Sequence, residues 1–237
     1  MEAVLVRRLV KGDAGTLHDR PIEPVAKVEV LEIDRPAVVL GSTQSFDVVN
    51  SARAAELGFH VVRRRSGGGV VVLQPGDHAW IDVTVPRGHR LWNDDVERAT
   101  WWLGEAWCDA LRGADARSHW TVHQGKLTAS APERVVCFAS IGPGEVVRYE
   151  RGPASGDEQR ADEPAGEVLR KVVGVSQRRT KDAARFQCTV FRVIDLALHR
   201  QLLRDEVPAS LANAAGVGDA LDDVARAAVQ RLTAELG

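Results

Sequence analysis

Three observations predict a single domain of mixed α and β structure. Short apolar, β-branched runs recur along the chain, separated by turns rich in Gly, Pro and Asp. One strongly amphipathic helical pattern spans residues 94–112, and another spans 222–236. The length of 237 residues, with 44% hydrophobic and 27% charged side chains, fits one large domain or one domain with a small appendage.

Taken in order, residues 25–33 and 37–41 read as strands, with a turn at Asp34-Arg35-Pro36. Residues 47–58 read as a short helix, with Asp47 as its N-cap and Gly58 just past its end. The runs 60–64 and 70–73 read as two strands around Arg63-Arg64-Arg65-Ser66-Gly67-Gly68-Gly69, a strand, tight glycine loop, strand arrangement. Gln74-Pro75-Gly76-Asp77 is a turn. Residues 80–85 alternate, placing Ile81, Val83 and Val85 on one face and Asp82 and Thr84 on the other. That pattern predicts a half-buried strand.

Across 94–112, Asp94 and Glu97 form a capping-box-like pair. Ala99, Trp102, Leu103, Ala106, Trp107, Ala110 and Leu111 then share one face with Val96, which assigns the tryptophans to packing. Cys108 beside that face reads as an inert buried thiol. Residues 134–139 and 145–149 are strand candidates around Gly142-Pro143-Gly144. Residues 150–167 hold almost no large apolar side chain, so the composition predicts a mobile loop. Strands follow at 168–176 and 185–193, and a helix at 197–203.

The net charge of −2 gives no global field for nucleic acid or anionic lipid, so any anion affinity must be local. No run of about 18 apolar residues and no signal-peptide pattern occurs. Cys108, Cys137 and Cys188 are widely spaced, without C-x-x-C. These features predict a cytoplasmic protein with reduced thiols, binding neither nucleic acid nor membrane.

Chemistry gathers in three places. In the first, glycines admit a ligand close to backbone N–H groups, and arginine forks match phosphate or carboxylate oxygens. The stretch from Arg63 to Gly69, with its three arginines, Ser66 and three glycines, therefore reads as an anion cradle, against a glycine hairpin with a solvated basic flank. The second is Arg170-Lys171-Val172-Val173-Gly174-Val175-Ser176-Gln177-Arg178-Arg179. Strand alternation puts Lys171 with Val173 and Val172 with Gly174, and Lys171 is either a site ammonium or a solvated strand residue. The third is Val136-Cys137-Phe138, with Glu145 eight residues beyond the cysteine. Cys137 is a nucleophile if a basic cleft activates it, and a structural thiol otherwise.

The order of these pieces resembles the lipoate–protein ligase family, within the wider biotin/lipoate ligase and octanoyltransferase superfamily. The match runs over about 37–203: Val38-Val39-Leu40-Gly41 with Gln44, the Arg-Arg-x-Ser-Gly-Gly-Gly loop, Cys137-Phe138, and the segment from Arg170 to Arg179. The resemblance implies an α+β fold, a mixed, largely antiparallel sheet with packed helices, as one catalytic domain over 1–237 without a C-terminal accessory domain. It implies an enzyme that activates lipoate or octanoate with ATP and Mg²⁺ as an acyl-adenylate. The acyl group would then pass to a lysine of a lipoyl carrier, such as the lipoyl domains of 2-oxoacid dehydrogenases or glycine-cleavage protein H. Arg64, Ser66, Gly67, Gly68 and Gly69 match the family's ligand-binding loop, and Lys171 its site lysine. Glu145 is the nearest match to the acidic residue of ligases, and no protein metal ligand is implied. The loop and Lys171 are thus expected on one cleft.

The chain departs from the family pattern at Leu73-Gln74, where a His-Asp-like pair is common, and at Gln187-Cys188-Thr189, where Gln-His-Gly is common. Two alternatives stay open. One is an ATP-independent octanoyltransferase with Cys137 as thioester nucleophile. The other is a non-catalytic lipoyl-binding homologue. Biotin ligase fits the loop pattern less well.

Overall fold

Local sequence sets the elements of the computed structural model, which describes residues 5–151 and 167–237. In chain order these are β1 (Leu5–Gly12), α1 (Ala14–Asp19), β2 (Lys27–Ile33), β3 (Ala37–Leu40), α2 (Ser51–Glu56), β4 (His60–Arg63), β5 (Val71–Leu73) and β6 (His78–Pro86). Then come α3 (Trp101–Ala114), β7 (His119–Val122), β8 (Val146–Arg151), β9 (Glu167–Arg179), β10 (Ala183–Phe191), α4 (Leu196–Leu202) and α5 (Leu221–Leu236). The expected mobile loop at 150–167 falls almost wholly outside the described residues.

Seven strands form the main sheet, in the order β1-β2-β6-β10-β9-β8-β7. Only the β1–β2 pair is parallel; the other five pairs are antiparallel. A second sheet has the order β4-β3-β5, with β4 parallel and β5 antiparallel to β3. The expected mixed, largely antiparallel α+β architecture is what forms. The turn at 34–36 does not make a hairpin, however, because it carries the chain from the large sheet to the small one.

Two apolar cores flank the large sheet. On one side Ile81, Val83, Phe186 and Val190 pack with Leu103, Trp107 and Leu111 of α3 and Val224, Ala228 and Leu232 of α5. On the other, Leu31, Trp80 and Phe191 meet Val38, Leu40, Val72 and Leu73 of the small sheet, with Leu17, Ala54 and Leu202 from α1, α2 and α4. The space between the sheets on this second side becomes the candidate site.

Several local expectations are corrected. Asn50, not Asp47, caps α2, accepting from the Arg53 amide at 3.1 Å, while Gly58 does end it at φ +76°. Asp95, not Asp94, receives the first amides ahead of α3, from Glu97 at 2.9 Å and Arg98 at 3.1 Å, and a 3₁₀ turn precedes the helix. Val96 is exposed rather than on the buried face. Residues 134–139 form two 3₁₀ turns, because Val136 alone bridges to Val70 and no strand lies alongside to extend the pairing.

The half-buried reading of 80–85 fails in an instructive way. Asp82 and Thr84 are both fully buried, since their face is covered by the small sheet and α1 rather than by water. Burying a carboxylate demands partners, and Trp80, Arg185 and Gln187 supply them.

Trp107 is fully enclosed between α3 and the sheet. Trp107→Ala should lower stability by about 3–5 kcal/mol. Urea denaturation would check it, and an unchanged midpoint would contradict the packing described.

Candidate active site

The glycine loop is not a hairpin tip. With β4 and β5 on opposite edges of β3, residues 64–70 cross over the end of β3, and the Ser42 amide donates to Ser66 O at 3.0 Å there. On its outer side the loop abuts the 134–137 segment. Val70 N donates to Val135 O at 2.7 Å and Cys137 N to Val70 O at 2.9 Å. A Cβ on Gly69 would stand 2.7 Å from Arg134 O and Cys137 N, so only glycine fits. Gly68 has φ +98°, which favours glycine for a second reason. Gly67 has open space where a side chain would project. The amides of Gly67, Gly68 and Gly69 donate to no acceptor among the described residues.

The three arginines separate by strand alternation. Arg63 and Arg65 are exposed, the first donating to Gln44 O at 2.8 Å and the second to Asp19 Oδ1 at 2.7 Å. Arg64 alone turns inward. Its Nη2 donates to Gly67 O at 2.8 Å and to Gly69 O at 2.9 Å. It therefore shapes the loop from within, and burial draws its pKa below the ordinary arginine value, opposed by its proximity to Cys137 and Glu145. Ser66 Oγ donates to Ser176 Oγ of β9 at 3.2 Å, tying loop to sheet.

Lys171 arrives from β9 through a β-bulge. Val146 pairs with Val173 but Val147 with Lys171, leaving Val172 as the extra residue. Val172 and Val173 thus both enter the apolar core, and Lys171 shares its face with Gly174 rather than with Val173. This reverses the alternation expected from the sequence. Lys171 is 2% exposed. It lies 2.7 Å from Glu145 Oε2 and donates to Cys137 O at 2.7 Å and Ser140 O at 3.0 Å. It also sits 4.9 Å from the Phe138 ring centroid. Lys171 is accordingly no solvated strand residue.

Glu145 is equally buried, accepting from Gly142 N at 2.7 Å and Val175 N at 3.1 Å besides the lysine. Cys137 Sγ is 3.9 Å from Lys171 Nζ and half-buried, whereas Cys108 and Cys188 are fully buried. Burial pushes the Cys108 thiol up to about 12 and raises that of Cys188 as well.

Loop, lysine and thiol converge. A cleft of about 290 Å³ is lined by Gly67, Gly68, Gly69, Glu145, Lys171 and Gln177, among others. A narrow slot runs inward from it between the sheets, past Val71, Leu73, Phe138 and Gly174 to Trp80 and His18. Arg64, Cys137, Val175 and Ser176 border both.

The slot floor was not singled out in the sequence. Trp80 Nε1 donates to Asp82 Oδ1 at 2.7 Å, and Gln187 Nε2 donates to the same oxygen at 3.3 Å. Arg185 approaches Asp82 at 3.7 Å and donates to His18 O at 2.9 Å. Burial raises Asp82 to about 6 against the pull of Arg185, and lowers His18 to about 3, with Arg64 assisting. The available signal was Asp82, a carboxylate in an apolar strand, with Arg185 and Gln187 at i and i+2 in another.

No curated protein matches the chain in sequence. The family model described as lipoyl protein ligase A/B catalytic domain matches residues 17–233. Among solved structures, a T. acidophilum protein with bound lipoic acid superposes at TM-score 0.65 and 16% identity, over 100% of this chain and 85% of that one. The bi-partite lipoate protein ligase of Thermoplasma acidophilum, studied with its E2 lipoyl domain, gives 0.63 and 17%, over 97% and 82%. A lipoate-protein ligase A bound with ATP gives 0.62 and 16%, over 100% and 86%. At these identities the structural likeness concerns the fold.

The glycines give a contrast to measure. Gly69→Ala should cost about 1–3 kcal/mol, since its Cβ meets fixed backbone. Gly67→Ala should stay within about 0.5 kcal/mol of the parent. Equal melting temperatures for the two variants would contradict the loop packing.

A pH dependence also follows. His18 and His78, lowered by burial to about 3 and about 4, stay neutral when folded but take up protons below about 6.5 when unfolded. Stability should therefore fall as pH drops from about 6.5 to about 4. Asp82, raised in the folded state, opposes this below about 6, one group against two. A urea midpoint that rises over that descent would overturn the assignment.

Proposed function

The chain belongs to the lipoyl protein ligase A/B catalytic-domain family, and we propose that it is a lipoate– or octanoate–protein ligase acting on a lipoyl carrier domain. The observation that carries this is the confluence of an amide-lined cleft and an apolar slot at Arg64, Cys137, Val175 and Ser176. An acyl chain in the slot would present its carboxylate at that junction. Phosphate oxygens of ATP, a substrate here, would meet the Gly67, Gly68 and Gly69 amides, which have no protein acceptor. A carboxylate oxygen of the acid attacks the α-phosphorus, and the bond to pyrophosphate breaks. The carrier's lysine amine then attacks the activated carbonyl, AMP departs, and the amide nitrogen loses its proton to solvent.

Lys171 is the cation for the oxyanion that develops at the carbonyl. All three of its protons already have acceptors, so it acts by exchanging the Ser140 or Cys137 carbonyl for substrate while Glu145 keeps it in place. Arg64 holds the loop carbonyls away from the phosphate path. Magnesium, which the ligase reading implies, would come with the nucleotide, since Mg²⁺ is usually held by one or two carboxylates plus substrate phosphates. Both Glu145 oxygens are already engaged by backbone amides.

The bound lipoic acid, the ATP and the E2 lipoyl domain of the structural relatives support this substrate set. We extend it to lipoyl domains of 2-oxoacid dehydrogenases or glycine-cleavage protein H as carriers, and to cytoplasmic catalysis by the domain over 1–237. No described helix is long and apolar enough to cross a membrane.

A second reading rests on Cys137, whose thiol lies at the junction of cleft and slot and 3.9 Å from Lys171 Nζ. There it is placed to take an octanoyl group from a thioester without ATP. Purified protein with apo carrier separates the two. Octanoate plus ATP should acylate the carrier, and Cys137→Ser should keep most of that activity. Octanoyl transfer from a thioester donor without ATP, with a covalent adduct on Cys137 by intact-mass spectrometry, would replace the ligase reading by the transferase one.

Lys171→Ala is a poor probe, because it strands a buried carboxylate at a cost of about 3–5 kcal/mol. Lys171→Met combined with Glu145→Gln keeps the volume and removes both charges. This variant should fold yet lose about 2.7–4 kcal/mol of transition-state stabilisation. Full single-turnover transfer by the folded double variant would remove Lys171 from the mechanism.

A further inference from the structure

The blind end of the slot carries a polar group that a hydrocarbon tail would leave unmatched. Along the inter-sheet face of the large sheet, Gly174 of β9, Thr189 of β10 and Trp80 of β6 stand in one row. Ser176, Gln187 and Asp82 stand in the next. A ligand entering beside Ser176 therefore crosses two strand spacings, about 10 Å, before it reaches the Trp80 and His18 end. That is the reach of a medium-length acyl chain.

The proton position on His18 follows from its neighbours. Gln187 Nε2 donates to Asp82 Oδ1 at 3.3 Å and to Oδ2 at 3.4 Å, which fixes the amide orientation and leaves Oε1 facing His18 Nδ1 at 3.3 Å. An amide oxygen only accepts, so Nδ1 carries the hydrogen. The ring packs against Trp80 at a tilt of 36°, with centroids 4.4 Å apart, and His18 is 6% exposed. Held neutral by burial, it keeps a lone pair on Nε2, which makes no hydrogen bond among the described residues and is not sealed off within the protein. Covering an unmatched acceptor with methylene groups costs its solvation without return.

We propose that His18 is a specificity-determining residue for the acyl tail, selecting a medium-length acid whose distal end carries a hydrogen-bond donor (hydroxyl, thiol or N–H) over a plain alkanoate. Gln187 and Asp82 act as positioning residues that set the tautomer. The proposal rests on the acyl-site reading of the preceding subsection and narrows its substrate: octanoate and lipoate carry no distal donor, so the preference ranks them below acids that do.

Isothermal titration of the full chain with 8-hydroxyoctanoate and with nonanoate compares tails of equal heavy-atom count that differ only in the terminal donor. The wild type should bind 8-hydroxyoctanoate about tenfold more tightly. His18→Phe and His18→Leu, with folding checked by their melting curves, should lose that preference. Equal binding of the two acids by the wild type overturns the inference, even if both variants fail to fold. So does a preference that persists in a folded variant. Binding of lipoate or octanoate without discrimination between the two probes sinks this inference alone. No binding of any of these acids sinks the acyl-site reading with it.

Discussion

The buried Lys171–Glu145 pair is the constraint on which the site depends. Each charge is withdrawn from water, and each is tolerated only because the surrounding backbone completes it. Cys137 and Ser140 carbonyls serve the ammonium, and Gly142 and Val175 amides serve the carboxylate. The pair thereby stitches β9 to the turn before β8 and to the 137–140 segment. That segment in turn supports the glycine loop through the Val70 backbone. Breaking one partner disturbs every wall of the cleft at once.

From that anchor the two sheets take distinct roles. The large sheet contributes Lys171, Gly174 and Ser176 from β9 and the polar row on β10 and β6. The small sheet hangs the glycine loop over the end of β3 and closes the slot with Val71 and Leu73. Apolar cores on both sides of the large sheet hold these surfaces in register. The geometry of the candidate site is thus a property of how the sheets face one another, with Arg64 bracing the loop carbonyls from within and Ser66 tying the loop to Ser176 of β9.

Much of this was legible in the sequence, and the failures have physical causes. Most of the β-branched runs and the amphipathic patterns of α3 and α5 appear where patterning placed them, and residues of the three clusters line one cleft. The strand partners did not. Residues 60–64 and 70–73 read as two strands around a tight glycine loop, but no local pattern reveals that β3 lies between them. Alternation around Lys171 was inverted by a bulge at Val172, which leaves no mark in a run of β-branched residues. Asp82 read as solvent-facing because period-two patterning cannot tell water from a buried partner such as Arg185. Three adjacent arginines suggested a shared cradle, yet strand geometry sends Arg63 and Arg65 outward.

The central claim is that cleft and slot are two halves of one ligand site, meeting at Arg64, Cys137, Val175 and Ser176. The most direct measurement is a crystal structure with a non-hydrolysable octanoyl-adenylate analogue. The account predicts the phosphate-mimicking group within hydrogen-bond distance of the Gly67, Gly68 and Gly69 amides, the carbonyl beside Lys171, and the tail ending against Trp80 and His18. An analogue bound with its tail outside the inter-sheet slot, or its linker away from the glycine loop, would contradict it.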